Sequence, residues 1–191
     1  MVLTAALTVP VGPGAAFAES ASEGSLDWGI RTSFNNYTGG PSEILGGAAE
    51  SPTGFTFELV SQKYEAETNL TDLQFNGFVR YLQYCDIPTN PATGGCALDL
   101  RFEDPRVVIS DSDSYLEATV YSKQYPSGEI WAPSEPVRVA NLHTASATMD
   151  ASDGRVKWSN IASTLTEDGN KMFSEFYSPG EALDPLSRLC R

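Results

Sequence analysis

Short runs of alternating apolar and polar residues follow one another along most of the chain, and this period of two is typical of half-buried β-strands. Turns rich in Gly, Pro, Asn and Asp separate the runs, so we expect neighbouring strands to form antiparallel hairpins. The pattern predicts an all-β fold, either an antiparallel sandwich or a half-barrel. The predicted strands cover residues 55–60, 73–81 with a bulge at Gly77, 97–102, 106–109, 115–121 and 137–142.

Two segments change from the strand period to a helical one. In residues 25–37 the apolar side chains recur at helical spacing and share one face: Leu26, Ile30, Phe34 and Tyr37. Ser25 stands where an N-cap belongs, and the Gly-Gly-Pro run at 39–41 ends the helix. Residues 166–176 break the alternation again, with one face formed by Met172, Phe173 and Phe176. The sequence therefore predicts two short helices on an otherwise all-β domain.

The first predicted helix carries a tyrosine, Tyr37, at its C-terminal end. Ser33 lies four residues earlier, so its hydroxyl projects from the same face as the phenol. A phenol beside a hydroxyl and apolar groups has the donor type that coordinates ferric iron in some haem proteins. The residue pattern alone favours a simpler interpretation, in which Tyr37 is a core aromatic residue whose hydroxyl is hydrogen-bonded.

Composition and charge restrict the classes of partner and activity. The chain has 191 residues, 41% hydrophobic and 19% charged, which is typical of one globular domain. Its net charge of −13 argues against nucleic acid and anionic lipid as partners. The single histidine, His143, follows a strand-like run and is interpreted as structural, and no serine has the context of a catalytic nucleophile. Carboxylates are abundant but scattered, so we expect no enzyme activity.

The N-terminus has the pattern of an export signal. Residues 1–18 are apolar and uncharged, and they end in an Ala-Phe-Ala cleavage site before Glu19. No Lys or Arg precedes the apolar stretch, which suggests that the printed start falls inside a longer signal peptide. We therefore expect a single mature domain over residues 19–191 and no membrane-spanning helix, because the apolar stretch is short and contains two prolines.

The three cysteines agree with an oxidising compartment. Cys85 and Cys96 bracket a turn-rich insert between two predicted strands, and a disulfide between them would contribute about 2–3 kcal/mol. Two free thiols are the alternative. Cys190 is left over, and we expect it to stay free or to pair with another chain.

Several segments, taken in order, resemble the haem-transport-associated (HtaA) domain of secreted and surface proteins of actinobacteria. The matching segments are residues 25–37, 75–79, 98–100 with 104–109, and 176–186, which together span residues 24–187. The resemblance implies a β-rich domain that binds ferric haem b through a tyrosine as axial ligand, and Tyr37 stands at the position of that ligand.

The resemblance also implies roles for further residues. Ser33 would hydrogen-bond a haem propionate, and Phe176 and Tyr177 would stack on the porphyrin or close its far side; core packing is the alternative for these two rings. The family carries a histidine partner for the ligand tyrosine where this chain has Tyr84, directly before the cysteine-bracketed insert. A phenol is a much weaker base than imidazole near neutral pH, so Tyr84 would support a Tyr37 phenolate less well, or would itself approach the iron.

From this resemblance we expect an exported, secreted or surface-located protein that captures or relays haem for iron acquisition and catalyses nothing. Its partners would be haem and, through haem exchange, haemoproteins or other haem-transport proteins. The alternative is a cell-surface interaction module that keeps the fold and has lost haem binding. The two hypotheses differ at Tyr37 and Tyr84.

Overall fold

The computed structural model describes residues 24–85, 95–151 and 156–187, together with the backbone of 189–190. The first elements are β1 (Ser25–Trp28), α1 (Thr32–Thr38), β2 (Glu43–Leu45), β3 (Ala48–Ser51), β4 (Gly54–Glu65), β5 (Leu70–Asn76), β6 (Phe78–Gln83) and β7 (Leu98–Ile109). They are followed by β8 (Tyr115–Lys123), β9 (Ile130–Trp131), β10 (Val137–His143), a 3-10 turn (Thr144–Ser146), β11 (Thr148–Asp150), β12 (Lys157–Ser159), β13 (Ile161–Leu165), α2 (Glu167–Met172), β14 (Ala182–Leu186) and β15 (Leu189–Cys190).

A large antiparallel sheet dominates the molecule, with strand order β1-β4-β5-β7-β8-β10-β13-β14. The two ends of this sheet meet at a bridge in which Asp27 N–H donates to Ser187 O at 2.8 Å and Ser187 N–H donates to Asp27 O at 2.9 Å. The sheet therefore curves into a nearly closed barrel, which confirms the predicted all-β antiparallel fold. A small sheet of β11, β12 and β15 lies outside it.

Alternation of side chains along the strands places the core on one face of the sheet. Strand β5, for example, buries every second residue, Thr71, Leu73 and Phe75. The largest buried side chains of the sheet include Trp28, whose ring lies 5.3 Å from that of Phe102. Burial of such aromatic side chains is the main stabilising contribution available to a sheet of this kind.

The strand prediction differs from the structure around Gly77. The predicted single strand over 73–81 is divided at Gly77 into β5 and β6, and both pair with β7. Gly77 has a φ of 151°, and a Cβ there would lie 2.5 Å from the Phe57 ring, so a side chain does not fit. The predicted strands 97–102 and 106–109 form the single strand β7, with a register shift between Glu103 and Arg106.

The first helix prediction is wrong in its N-terminal half. Residues Ser25–Trp28 form a strand that pairs with β4, and only Thr32–Thr38 are helical. Leu26, Trp28 and Ile30 are all buried at a spacing of two, which is the strand period, whereas the spacing of four between Leu26 and Ile30 fits a strand and a helix alike. Ser25 therefore caps nothing; Arg31 precedes the helix without a side-chain cap. The predicted end is confirmed, because Gly39 takes the left-handed conformation with φ 74°.

The second helix agrees with its prediction over a shorter range. Helix α2 covers Glu167–Met172, and Thr166 caps it by accepting a hydrogen bond from Gly169 N–H at 3.0 Å. Phe176 lies beyond the helix and is exposed. Within the part of the chain that the structure describes, neither helix is long and apolar enough to cross a membrane.

The predicted disulfide is present between Cys85 and Cys96, with an S–S distance of 2.04 Å. The predicted signal peptide, residues 1–18, and the side chain of Cys190 lie outside the described residues. Neither prediction is therefore addressed by the fold.

Candidate functional site

Four aromatic side chains meet at the surface where α1, the end of β6, the segment after β8 and the segment after α2 come together. We call them the aromatic mouth: Tyr37, Tyr84, Tyr125 and Phe176. Tyr37 is 49% exposed and Phe176 is 46% exposed, which is unusual for large apolar rings and typical of binding surfaces.

Each ring of the aromatic mouth contacts two of the other three rings, so that the four form a closed circuit of contacts. The Tyr37 ring lies 6.4 Å from Tyr84 and 6.3 Å from Phe176, centroid to centroid. Tyr125 completes the circuit, since it stacks on Tyr84 at 5.1 Å and lies 6.1 Å from Phe176. The four side chains come from distant parts of the sequence, so the fold alone assembles this surface.

The hydroxyl groups of Tyr37 and Tyr84 form a hydrogen bond with each other. This hydrogen bond is the largest cause that raises the pKa of Tyr37 to about 12, followed by partial burial and by the negative charges that the neighbouring phenols carry when ionised. The phenol of Tyr37 is therefore held in its neutral form at physiological pH.

A second set of aromatic residues lies where the buried side of α1 packs on the rest of the molecule, and we call it the aromatic base: Phe34, Tyr81 and Phe173. All three are buried, and the Phe34 ring contacts Tyr81 at 5.0 Å and Phe173 at 4.9 Å, edge to face. Phe34 also lies 6.4 Å from Tyr37 and so connects the aromatic base to the aromatic mouth.

A partly buried hydrogen bond anchors α1 to the aromatic base. Tyr81 donates from its hydroxyl to Asn35 Oδ1 at 2.7 Å, and Asn35 donates from Nδ2 to Gly29 O at 2.8 Å. Burial raises the pKa of Tyr81 well above its ordinary value. These contacts fix the helix, and the helix in turn fixes the position of Tyr37.

Two different devices place Tyr84 and Tyr125. Tyr84 has a φ of 59°, and its carbonyl accepts a hydrogen bond from Ala97 N–H at 3.2 Å, beside the Cys85–Cys96 disulfide. Tyr125 N–H donates to Ser174 Oγ at 3.2 Å, which connects its turn to the segment after α2. Sequence reasoning missed Tyr125, because a tyrosine in a turn carries no periodic signal.

The other predicted site residues, Ser33 and Tyr177, lie around Arg31. Ser33 is exposed and accepts a hydrogen bond from Arg31 Nε at 3.0 Å, while the guanidinium lies 3.7 Å above the Tyr177 ring. Arg31 also forms an ion pair with Glu181 at 2.8 Å. Tyr177 packs on Phe173 at 5.3 Å, so it connects this group to the aromatic base.

The chemistry of the aromatic mouth is that of phenols and apolar rings. His143 is exposed elsewhere, with Nε2 2.9 Å from Thr164 Oγ1. Among the described residues no group of three or more His, Cys, Asp or Glu side chains has a metal-binding arrangement. The donor that the mouth presents is the Tyr37–Tyr84 oxygen pair, with the flat faces of Tyr125 and Phe176 beside it.

Comparisons with known proteins agree with this fold. The family model HtaA, described as Htaa, matches residues 23–188. The N-terminal domain of HtaA from Corynebacterium glutamicum is similar in structure, with a TM-score of 0.70 and 27% identity over 88% of this chain and 96% of that one. Heme binding protein HtaB from the same organism is also similar, with a TM-score of 0.67 and 21% identity over 87% and 91%. No protein of curated function matches this chain in sequence.

Proposed function

The chain belongs to the HtaA family, and from this premise we propose that it is an exported protein that binds ferric haem b through Tyr37 and captures or relays it for iron acquisition. The structurally similar HtaB is described as a heme binding protein. The observation that carries the proposal is the half-exposed Tyr37 side chain in the aromatic mouth, in contact with Tyr84 and Phe176.

The residues of the aromatic mouth fit the chemistry of haem. Haem supplies a ferric iron, for which an ionised phenol oxygen is a suitable ligand, and a flat apolar ring system. Tyr37 offers the oxygen. Phe176 offers an exposed aromatic face 6.3 Å away, and Tyr84 offers a hydrogen bond to that oxygen. Tyr125 extends the aromatic surface beyond Tyr84.

The residues around Arg31 suit the charged edge of haem. A propionate is an anion, and Arg31 with the Ser33 hydroxyl would bind it through charge-assisted hydrogen bonds. Arg31 is paired with Glu181 at 2.8 Å, so a propionate would compete with that carboxylate. Tyr177 holds the guanidinium in place by stacking at 3.7 Å.

The disulfide and the N-terminal sequence support export. Disulfides form and persist in oxidising compartments outside the cytosol, and Cys85 pairs with Cys96. Residues 1–18 have the composition of a signal peptide. Both observations support a secreted or surface location.

A second candidate function is a surface interaction module that has lost haem binding. The hydrogen bond between the Tyr37 and Tyr84 hydroxyls favours it, because this bond raises the pKa of Tyr37 to about 12 and so opposes formation of the phenolate that would bind iron. Deprotonation of Tyr37 must then be driven by the ligand itself.

A haemin titration of the recombinant protein, monitored by the quenching of tryptophan fluorescence, separates the two candidate functions. We expect saturation at about one haemin per chain, and a large loss of affinity in Tyr37→Phe. Tyr64→Phe is the matched control, because Tyr64 is also an exposed tyrosine, 41% accessible, but lies on β4. Equal affinity in all three proteins would remove Tyr37 from the site, and no saturable binding to the wild type would favour the interaction module.

A further inference from the structure

The environment of Tyr84 differs from that of the other members of the aromatic mouth, because its backbone is held in an unfavourable conformation. Its φ of 59° lies in the left-handed region, which tyrosine rarely adopts. Such a conformation persists where the surrounding structure determines it. The residues around Tyr84 must therefore hold it in this conformation.

A disulfide, which we call the clamp, joins Cys85 to Cys96 directly after Tyr84 in the chain. The last residue pair between strands β6 and β7 is Gln83 with Leu98. Among the described residues, no strand pairing holds the two segments together beyond this pair. The disulfide between Cys85 and Cys96 joins the two segments immediately beyond the strands. Ala97 N–H then donates to the Tyr84 carbonyl at 3.2 Å. Tyr84 thus lies between the last strand pair and the covalent link.

The backbone turn at Tyr84 directs its side chain toward α1. With its backbone in the left-handed conformation, the phenol reaches across to α1 and hydrogen-bonds the Tyr37 hydroxyl, while its ring stacks on Tyr125 at 5.1 Å. A residue in an ordinary extended conformation at the end of β6 would direct its side chain differently. The contact between the two phenols therefore depends on the backbone turn at Tyr84.

We propose that Cys85 and Cys96 are positioning residues of the haem site: their disulfide holds Tyr84 against Tyr37, so that haem retention depends on the oxidised state of this pair. The inference rests on the proposed function for its haem readout, and its geometric part stands without it. Cys85 is exposed, so a reductant has access to the bond.

The chemical step is a two-electron reduction. A dithiol reductant such as dithiothreitol supplies two electrons and two protons, the S–S bond breaks, Cys85 and Cys96 become thiols, and the reductant closes into its own cyclic disulfide. The turn at Tyr84 then loses its covalent constraint and keeps the hydrogen bond from Ala97 N–H, and we expect the Tyr84 side chain to leave Tyr37.

The first measurement needs no haem. Nuclear Overhauser effects between the Tyr37 and Tyr84 rings are followed in the oxidised protein, in the reduced protein and in the Cys85→Ser, Cys96→Ser double variant. We expect this contact to be lost once the disulfide is open, because the backbone turn that directs Tyr84 toward Tyr37 is released. A contact that persists, with free thiols counted and the circular dichroism intact, would overturn the proposal.

The second measurement is the rate of haemin transfer from the same proteins to apomyoglobin. We expect transfer to be about tenfold faster after reduction, the factor that corresponds to one hydrogen bond to a charged oxygen. In Tyr84→Phe, reduction should produce no further acceleration, because the group that the clamp positions is already absent. An equal acceleration by reduction in Tyr84→Phe would show that the disulfide acts elsewhere and would contradict the proposal.

The two measurements separate failure of this inference from failure of the proposed function. If the Tyr37–Tyr84 contact is lost on reduction and no protein binds haemin, the positioning role stands and the proposed function is wrong. If haemin binds through Tyr37 and neither the ring contact nor the transfer rate responds, the proposed function stands and the positioning role is wrong.

Discussion

The aromatic base and the aromatic mouth use the same residue types, are in contact through Phe34 and Tyr37, and differ in exposure. The base is buried, and the hydroxyl of Tyr81 donates to an amide oxygen on the neighbouring helix. In the mouth, the hydroxyl of Tyr37 meets another phenol at the surface. Folding therefore explains the base, whereas the mouth exposes rings that a purely structural role would bury.

The largest expected difference between the two regions is in stability. Phe34→Ala should lower the free energy of unfolding by about 3–5 kcal/mol, because it leaves a cavity between Tyr81 and Phe173. Phe176→Ala should change it by about 0.5 kcal/mol or less, because the ring is exposed. Denaturant unfolding of both variants checks the contrast. Similar losses would mean that Phe176 is as structural as Phe34.

A hydroxyl deletion makes the same comparison on a smaller scale. Tyr81→Phe should cost about 1–3 kcal/mol, because it removes the buried donor to Asn35 Oδ1 at 2.7 Å. Tyr37→Phe should cost about 0.5 kcal/mol or less, since its hydroxyl is at the surface. Thermal unfolding at neutral pH measures both. A larger loss of stability in Tyr37→Phe would mean that the hydrogen bond between Tyr37 and Tyr84 stabilises the fold.

Residue 84, which contacts the Tyr37 hydroxyl, is a position where a substitution should change haemin retention. Tyr84→His should strengthen haemin retention by about 1–2 kcal/mol, since imidazole is a stronger base than phenol and favours the Tyr37 phenolate. The rate of haemin transfer to apomyoglobin is the measurement, with wild type as the reference. Transfer that is equally fast or faster from the variant would mean that residue 84 does not support the ligand.

The smallest expected effect is a pH dependence of stability. Because the folded pKa of Tyr37, about 12, lies above its ordinary value of 10.0, the Tyr37–Tyr84 contact contributes fully below about pH 10 and is lost as pH rises toward about 12. The stability difference between wild type and Tyr84→Phe should shrink across this window. We expect a small change, because Tyr37 is half exposed. A stability difference between the two proteins that grows with pH would contradict the expected direction of this effect.

The sequence predicted the sheet better than the site, for physical reasons. Strand alternation is local, so β4, β8 and β10 could be recognised one by one. The spacing of four between Leu26 and Ile30 fits a strand and a helix alike, and pairing of β1 with β4 decided between them. Tyr37 and Phe176 could be predicted as site residues only through the family resemblance.

The missed parts of the site depend on long-range contacts. Tyr125 joins the aromatic mouth because its turn is hydrogen-bonded to Ser174, and nothing in the local sequence indicates that contact. The orientation of Ser33 likewise depends on Arg31, whose own position is fixed by Tyr177 and Glu181. Assembly of such surfaces requires the tertiary fold.

The visible absorption spectrum of the haemin-loaded protein distinguishes the two phenols of the aromatic mouth that could bind iron, Tyr37 and Tyr84. Ligation by ionised tyrosine gives a charge-transfer band in the visible region. We predict that this band is present in the wild type, is lost in Tyr37→Phe and persists in Tyr84→Phe. A band that survives in Tyr37→Phe and disappears in Tyr84→Phe would contradict the assignment of Tyr37 as the ligand.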